Sequence, residues 1–208
     1  MPGQSIRDER ARRREAACEI ELSAQDLVDR LESRIELLGL GRARFRRGIS
    51  SLTIHSAELG SLRGVGALRD LVAPNIAHNR VRVIPLEIGQ LPRLQRARLD
   101  HNHIERLPDT ISSLRSLRKL DLSHNNLETL PSSMGRLDSL EELDLSANPL
   151  RQLPASVAEL RSLRRLRLPS TIEAGALGWV AQRPGLVVVR CAGFDELAYT
   201  ELSHPERQ

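Results

Sequence analysis

The sequence predicts an α/β fold: a right-handed solenoid of short repeats with a parallel sheet on the concave wall, short helices or turns on the convex side, and a helical cap at the N-terminus. Three observations carry this prediction. Segments beginning at Leu71, Leu94, Leu117 and Leu140 align on a 23-residue period. On the same period an asparagine recurs at Asn79, Asn102, Asn125 and Asn148. Ile84, Leu107, Leu130 and Leu153 are each followed by a proline, at 85, 108, 131 and 154.

From the N-terminus, residues 1–22 are arginine-rich, with arginines at 7, 10, 12, 13 and 14 and no apolar stretch behind them. They read as an unstructured arm rather than an export signal. Ser23, Ala24, Gln25 and Asp26 resemble a capping box, and Leu27, Val28, Leu31, Ile35 and Leu38 recur at helical spacing until Gly39 stops them. Residues 23–47 are therefore predicted to form the helical cap, and residues 48–208 the repeat domain. Leu52, Ile54, Leu59, Leu62 and Leu68 make a first copy that fits only if one residue is dropped. The best repeats span 71–162, and the terminal ones are degenerate, as expected where one face of a solenoid meets water.

Each column has a mechanical meaning. Alternate side chains of a short strand point inward, so the leucine columns build one wall of the core. The asparagine amide stands where the strand turns away and can satisfy backbone groups that would otherwise be buried unpaired. Ile88, Ile111, Met134 and Val157, with Leu91, Leu114, Leu137 and Leu160, add a second apolar set at three-residue spacing, which suits a short helix or 3₁₀ turn. Beyond 168 the pattern decays, with Thr171 where asparagine is due. Leu186, Val189 and Cys191 return to the 23-residue register, which places Cys191 in the inward column of Leu122 and Leu145.

Composition agrees with an aliphatic repetitive core, since Phe45, Trp179, Phe194 and Tyr199 are the only aromatic residues other than histidine. The net charge of +4 is small for the length and acids are mixed among the bases, which argues against nucleic acid as the partner. Lys119 is the only lysine among 31 basic residues, the codon signature of a GC-rich bacterial genome. Two cysteines, 18 and 191, make no disulfide framework, and no apolar stretch is long enough to span a bilayer. A monomer in a reducing bacterial cytosol is the expectation.

The segment from Leu117, LRKLDLSHNNLETLPSSMGRLDS, resembles the leucine-rich-repeat family in its LPxxIxxLxxLxxLDLSxNxL form, shared by cytoplasmic signalling proteins and by effectors that pathogens inject into host cells. The resemblance implies a non-catalytic module that binds a protein partner on its concave face. Two further roles follow from the same resemblance: an effector delivered into a eukaryotic host, and a non-catalytic fragment or subunit of a ubiquitin-ligase-type effector.

Three candidate sites can be weighed. His78, His101 and His124 precede the ladder asparagines and should stack about one strand spacing, roughly 4.8 Å, apart. No acid recurs beside all three, and the position is a solvent-facing turn, so neither a metal nor another cofactor is expected. Cys191, assigned to the core, is expected to be inert rather than a nucleophile. The third candidate is the exposed face of the sheet, where the register places Arg96, Arg98 and Asp100, then Lys119 and Asp121, then Glu141, Glu142 and Asp144, then Arg164, Arg165 and Arg167. A band of carboxylates between arginine bands can select a partner with the opposite pattern, because charge sets specificity and association rate.

Overall fold

In the computed structural model, residues 18–22, 49–54, 58–191 and 199–201 are described. Among them one sheet runs in chain order through β1 (Cys18–Leu22), β2 (Ile49–Ile54), β3 (Ala73–Asn75), β4 (Arg96–Arg98), β5 (Lys119–Asp121), β6 (Glu142–Asp144), β7 (Arg165–Pro169), β8 (Val187–Cys191) and β9 (Tyr199–Glu201). Strands β1 to β8 pair in parallel, and β9 pairs antiparallel with β8. From β4 to β7 the register steps by the 23-residue period: Leu120 lies beside Leu143, and Leu143 beside Leu166. Neighbours in space are neighbours in sequence, the arrangement of a solenoid that adds one strand per turn.

The convex wall is built from 3₁₀ turns, at Leu86–Gln90, Asp109–Ser113, Ser132–Arg136 and Ala155–Glu159. Each follows a proline in extended conformation, as the proline column predicts. The proline has no N–H to leave unpaired, and its carbonyl starts the turn by accepting a bond from the residue three ahead, such as Met134 N–H to Pro131 O at 3.1 Å. Successive turns pack closely. A Cβ on Gly135 would stand 2.5 Å from the Ser156 carbonyl oxygen, so glycine here lets adjacent backbones approach.

Leucine, isoleucine and valine from the strand, turn and convex columns fill a continuous core. The asparagine ladder runs along it. Asn125 Nδ2 donates to the carbonyls of Leu99 (2.9 Å), Leu122 (3.0 Å) and Ser123 (3.1 Å), and its Oδ1 accepts the Ile104 N–H at 2.9 Å. Asn102 and Asn148 repeat the pattern one turn away on either side. One amide thus stitches its own turn to the preceding one with groups that water cannot reach.

Two expectations change at the ends. Cys18–Leu22 belongs to the segment read as unstructured, yet it forms β1 and pairs along its length with β2. At the other end Cys191 leaves the inward column, because β8 pairs one residue out of the 23-residue step: Leu166 faces Val188, and Pro169 faces Cys191. Only Val187 separates Leu186 from Val188, where two residues separate Leu163 from Leu166. A one-residue slip moves every side chain of a strand to the other face. The predicted cap at 23–47 lies outside the described residues.

Candidate interaction face

The open face of β4 to β7 carries two charged rows along the solenoid, one on each side of the buried row Ala97, Leu120, Leu143 and Leu166. The first row is Arg96, Lys119, Glu142 and Arg165. The second begins at Asn75 and continues through Arg98, Asp121, Asp144 and Arg167. With the floor of Ala97, Leu120 and Leu143, the eight charged residues line one shallow groove of about 230 Å³.

Charges within the groove are largely matched. Lys119 Nζ lies 2.8 Å from Glu142 Oε1, and Arg165 Nη1 lies 3.7 Å from the same oxygen. The Lys119 hydrogen bond is the main reason that the Glu142 carboxyl sits below its ordinary pKa. Arg167 Nη1 meets Asp144 Oδ2 at 3.0 Å. Asp144 also serves the fold, its Oδ1 accepting the Ser146 N–H (3.0 Å) and hydroxyl (2.6 Å), and Asp121 Oδ1 accepts the same pair from Ser123 at 3.1 and 2.8 Å. These are local turns of the kind that short polar side chains form with the backbone two residues on.

Two charges in the groove have no ion-pair partner among the described residues: Arg96 and Asp121. Burial pushes the Asp121 carboxyl above its ordinary pKa, and repulsion from Asp144 and Asp100 adds to this against the pull of the Ser123 hydrogen bonds. The groove therefore holds a carboxylate whose charge its own surroundings disfavour and which an incoming cation would relieve.

The remaining predicted residues sit elsewhere. Asp100 is buried, its side chain 6% exposed, beneath Arg98 rather than on the face. Glu141 and Arg164 precede β6 and β7 and line a separate depression with Arg161, Arg183 and Leu186 at the flank of the sheet. Glu141 pairs there with Arg118, Nη1 to Oε1 at 3.3 Å. The repeat pattern marks these positions as variable, but each lies one residue before its strand begins, at Glu142 and at Arg165, and lines the flank rather than the face.

The histidine column stacks as predicted, with ring centroids 4.1 Å apart from His78 to His101 and from His101 to His124. All three residues adopt left-handed backbone, with φ of 55°, 53° and 52°, as does Ala147 at 51° in the next repeat. This was not legible from the repeat pattern, although a turn residue immediately before the ladder asparagine is a natural place for positive φ. His78, Asp100 and His101 bring their ligand atoms within 4.8 Å of one another. Cys191 lies in the neighbourhood of Asp144, Ser146 and Arg167. Burial there, together with the Asp144 charge, raises its thiol pKa, the opposite of what an activated nucleophile needs.

Comparison with known proteins agrees with this geometry. Residues 109–178 match the family model described as leucine-rich repeat region, and residues 69–127 match that described as leucine rich repeat. No curated protein sequence matches the chain significantly. A leucine-rich-repeat protein of Leptospira interrogans superposes with a TM-score of 0.65 at 33% identity, over 68% of this chain and 37% of its own. The functional domain of InlJ from Listeria monocytogenes, which includes a cysteine ladder, gives 0.56 at 23% identity, over 68% of this chain and 29% of that one. A chain of the Toll–Spatzle complex from Drosophila gives 0.51 at 25% identity over 59% of this chain and 17% of its own. The chain thus spans little more than a third of the length of the Leptospira protein.

Proposed function

Because this chain belongs to the leucine-rich-repeat family, we propose that it is a non-catalytic interaction module that docks a protein partner in the groove of β4 to β7. One observation carries the reading: eight charged side chains from four repeats converge on a single groove, with a carboxylate band between two arginine bands. Asp121 and Arg96, which have no ion-pair partner among the described residues, are the charges a partner would neutralise, so the complementary surface presents a basic side chain to Asp121 and an acidic one to Arg96. Lys119, Glu142, Arg165, Asp144, Arg167 and Arg98 fix the register of the two surfaces. Matched charges of this kind contribute mainly to specificity and to the rate of encounter. The arginine-biased composition supports a bacterial source for the module.

Affinity capture with paired variants tests this. Glu142→Lys with Asp144→Lys reverses the central band of the groove. Glu141→Lys with Arg164→Glu reverses two charges at the flanking depression. The reading expects the first pair to abolish recovery of the partner and the second to leave it intact. Equal recovery with both pairs would remove the groove as the docking site.

A further inference from the structure

We propose that His78, Asp100 and His101 form a binding site for a borderline divalent transition-metal cation of the zinc(II) class. This is independent of any protein partner. Three observations converge on the position.

The chain's own repeats supply the comparison. The column that holds Asp100 contains Ala77, Ser123 and Ser146 in the adjacent turns, so a carboxylate appears there once. It appears beside the stack of imidazoles, in contact with His101 and close to His78. Of the three stacked histidines, only these two share a ligand cluster with an acid among the described residues.

The carboxylate is also poorly served by the protein. Asp100 is 4% exposed, and although its Oδ2 faces His101 Nδ1 at 3.1 Å, its Oδ1 accepts no hydrogen bond. Arg98 Nε approaches Oδ1 only to 3.4 Å, from a side chain that is 58% exposed. Burying a carboxylate held by so few contacts costs free energy, and a cation bound by either of its oxygens offsets that cost.

The distances are near those that one cation requires. Zinc binds imidazole nitrogen and carboxylate oxygen at about 2.0–2.2 Å, so two ligands at a tetrahedral angle stand roughly 3.4 Å apart. Asp100 Oδ2 and His101 Nδ1 are already at 3.1 Å. One ligand atom each of His78, Asp100 and His101 lies within 4.8 Å of the other two, and His78 is exposed, so moving its ring by about 1–2 Å brings the set to zinc distances. Two imidazoles and a carboxylate suit zinc(II), nickel(II) or copper(II) and not magnesium, which demands oxygen ligands. Three protein ligands leave at least one position for water or for a donor on an incoming molecule.

Zinc chloride titrated into the full chain at pH 7.5 by calorimetry tests the site. Asparagine tolerates positive φ, so the double variant His78→Asn with His101→Asn keeps the turns folded, which circular dichroism checks. Wild type is expected to bind one zinc saturably. The double variant and Asp100→Ser should each bind at least tenfold more weakly, while His124→Asn stays within twofold of wild type. Arg98→Gln should tighten binding, because it removes a competing cation. Absence of saturable binding up to millimolar zinc would overturn the proposal. So would undiminished binding by the double variant, or a loss in His124→Asn as large as that in the double variant.

Discussion

Replacing Asn125 by alanine removes the ladder amide from the middle of the array. Its Nδ2 serves three carbonyls and its Oδ1 accepts the Ile104 N–H, all in the core. Counting two donor protons and one acceptor, about three net hydrogen bonds disappear at roughly 1 kcal/mol each. The stranded Ile104 N–H adds a desolvation penalty of about 1–2 kcal/mol. The expected loss is therefore about 4–5 kcal/mol, a large part of the roughly 5–15 kcal/mol that holds a domain folded. For a chain of this length that corresponds to a fall in Tm of roughly 10 °C or more. Urea unfolding followed by far-ultraviolet circular dichroism measures it, with Asn126→Ala as the control, since Asn126 is exposed and only its backbone N–H bonds, to Ile104 O at 2.9 Å. The control should lose less than about 0.5 kcal/mol. A loss in Asn125→Ala no larger than in the control would refute the assignment of the ladder as the stitch between turns.

Three further outcomes follow from the geometry. Ala147 holds a left-handed backbone that asparagine tolerates better, so Ala147→Asn should raise the urea midpoint, a gain of about 0.5–1 kcal/mol; a fall would contradict the strain argument. Asp121 has a folded-state pKa above its ordinary value, chiefly through burial, so its ionised form is penalised by folding and its contribution worsens as pH rises through that folded value. Asp121→Asn keeps the acceptor for Ser123, so it should be more stable than wild type at pH 7, with the gap closing as pH falls below the ordinary carboxylate range; a gap that widens on acidification would reverse the sign. For Cys191, alkylation by iodoacetamide at pH 7.5 should run slower in the folded chain than in urea, because burial and the Asp144 charge disfavour the thiolate. Faster labelling of the folded chain would show an activated thiol.

The periodic part of this fold was legible because each column does one mechanical job. Asn102, Asn125 and Asn148 hold the bonds their spacing implied, and the proline column starts the convex turns. The non-periodic part depends on local length and on single departures from the repeat. Glu141 and Arg164 occupy variable positions in the pattern, but the strands begin one residue later, so these two side chains line a flank. Asp100 sits in a serine column, and the pattern marks it as exposed where the turn in fact buries it. Cys191 moved to the other face because one residue is missing between Leu186 and Val188, a deletion that a fixed 23-residue period passes over. The pairing of Cys18–Leu22 with Ile49–Ile54 is a contact across an intervening segment that follows no repeat, and nothing in the local composition signals it.

The most direct test of the groove as a docking surface is carboxylate footprinting of the captured complex. Free and partner-bound chain are labelled with a carbodiimide and an amine, then compared residue by residue. Protection of Glu142, Asp144 and Asp121 on binding, with Asp138 and Glu159 at the convex turns labelled equally in both states, is the predicted result. Protection confined to the convex carboxylates, with the groove labelled as in the free chain, would contradict it.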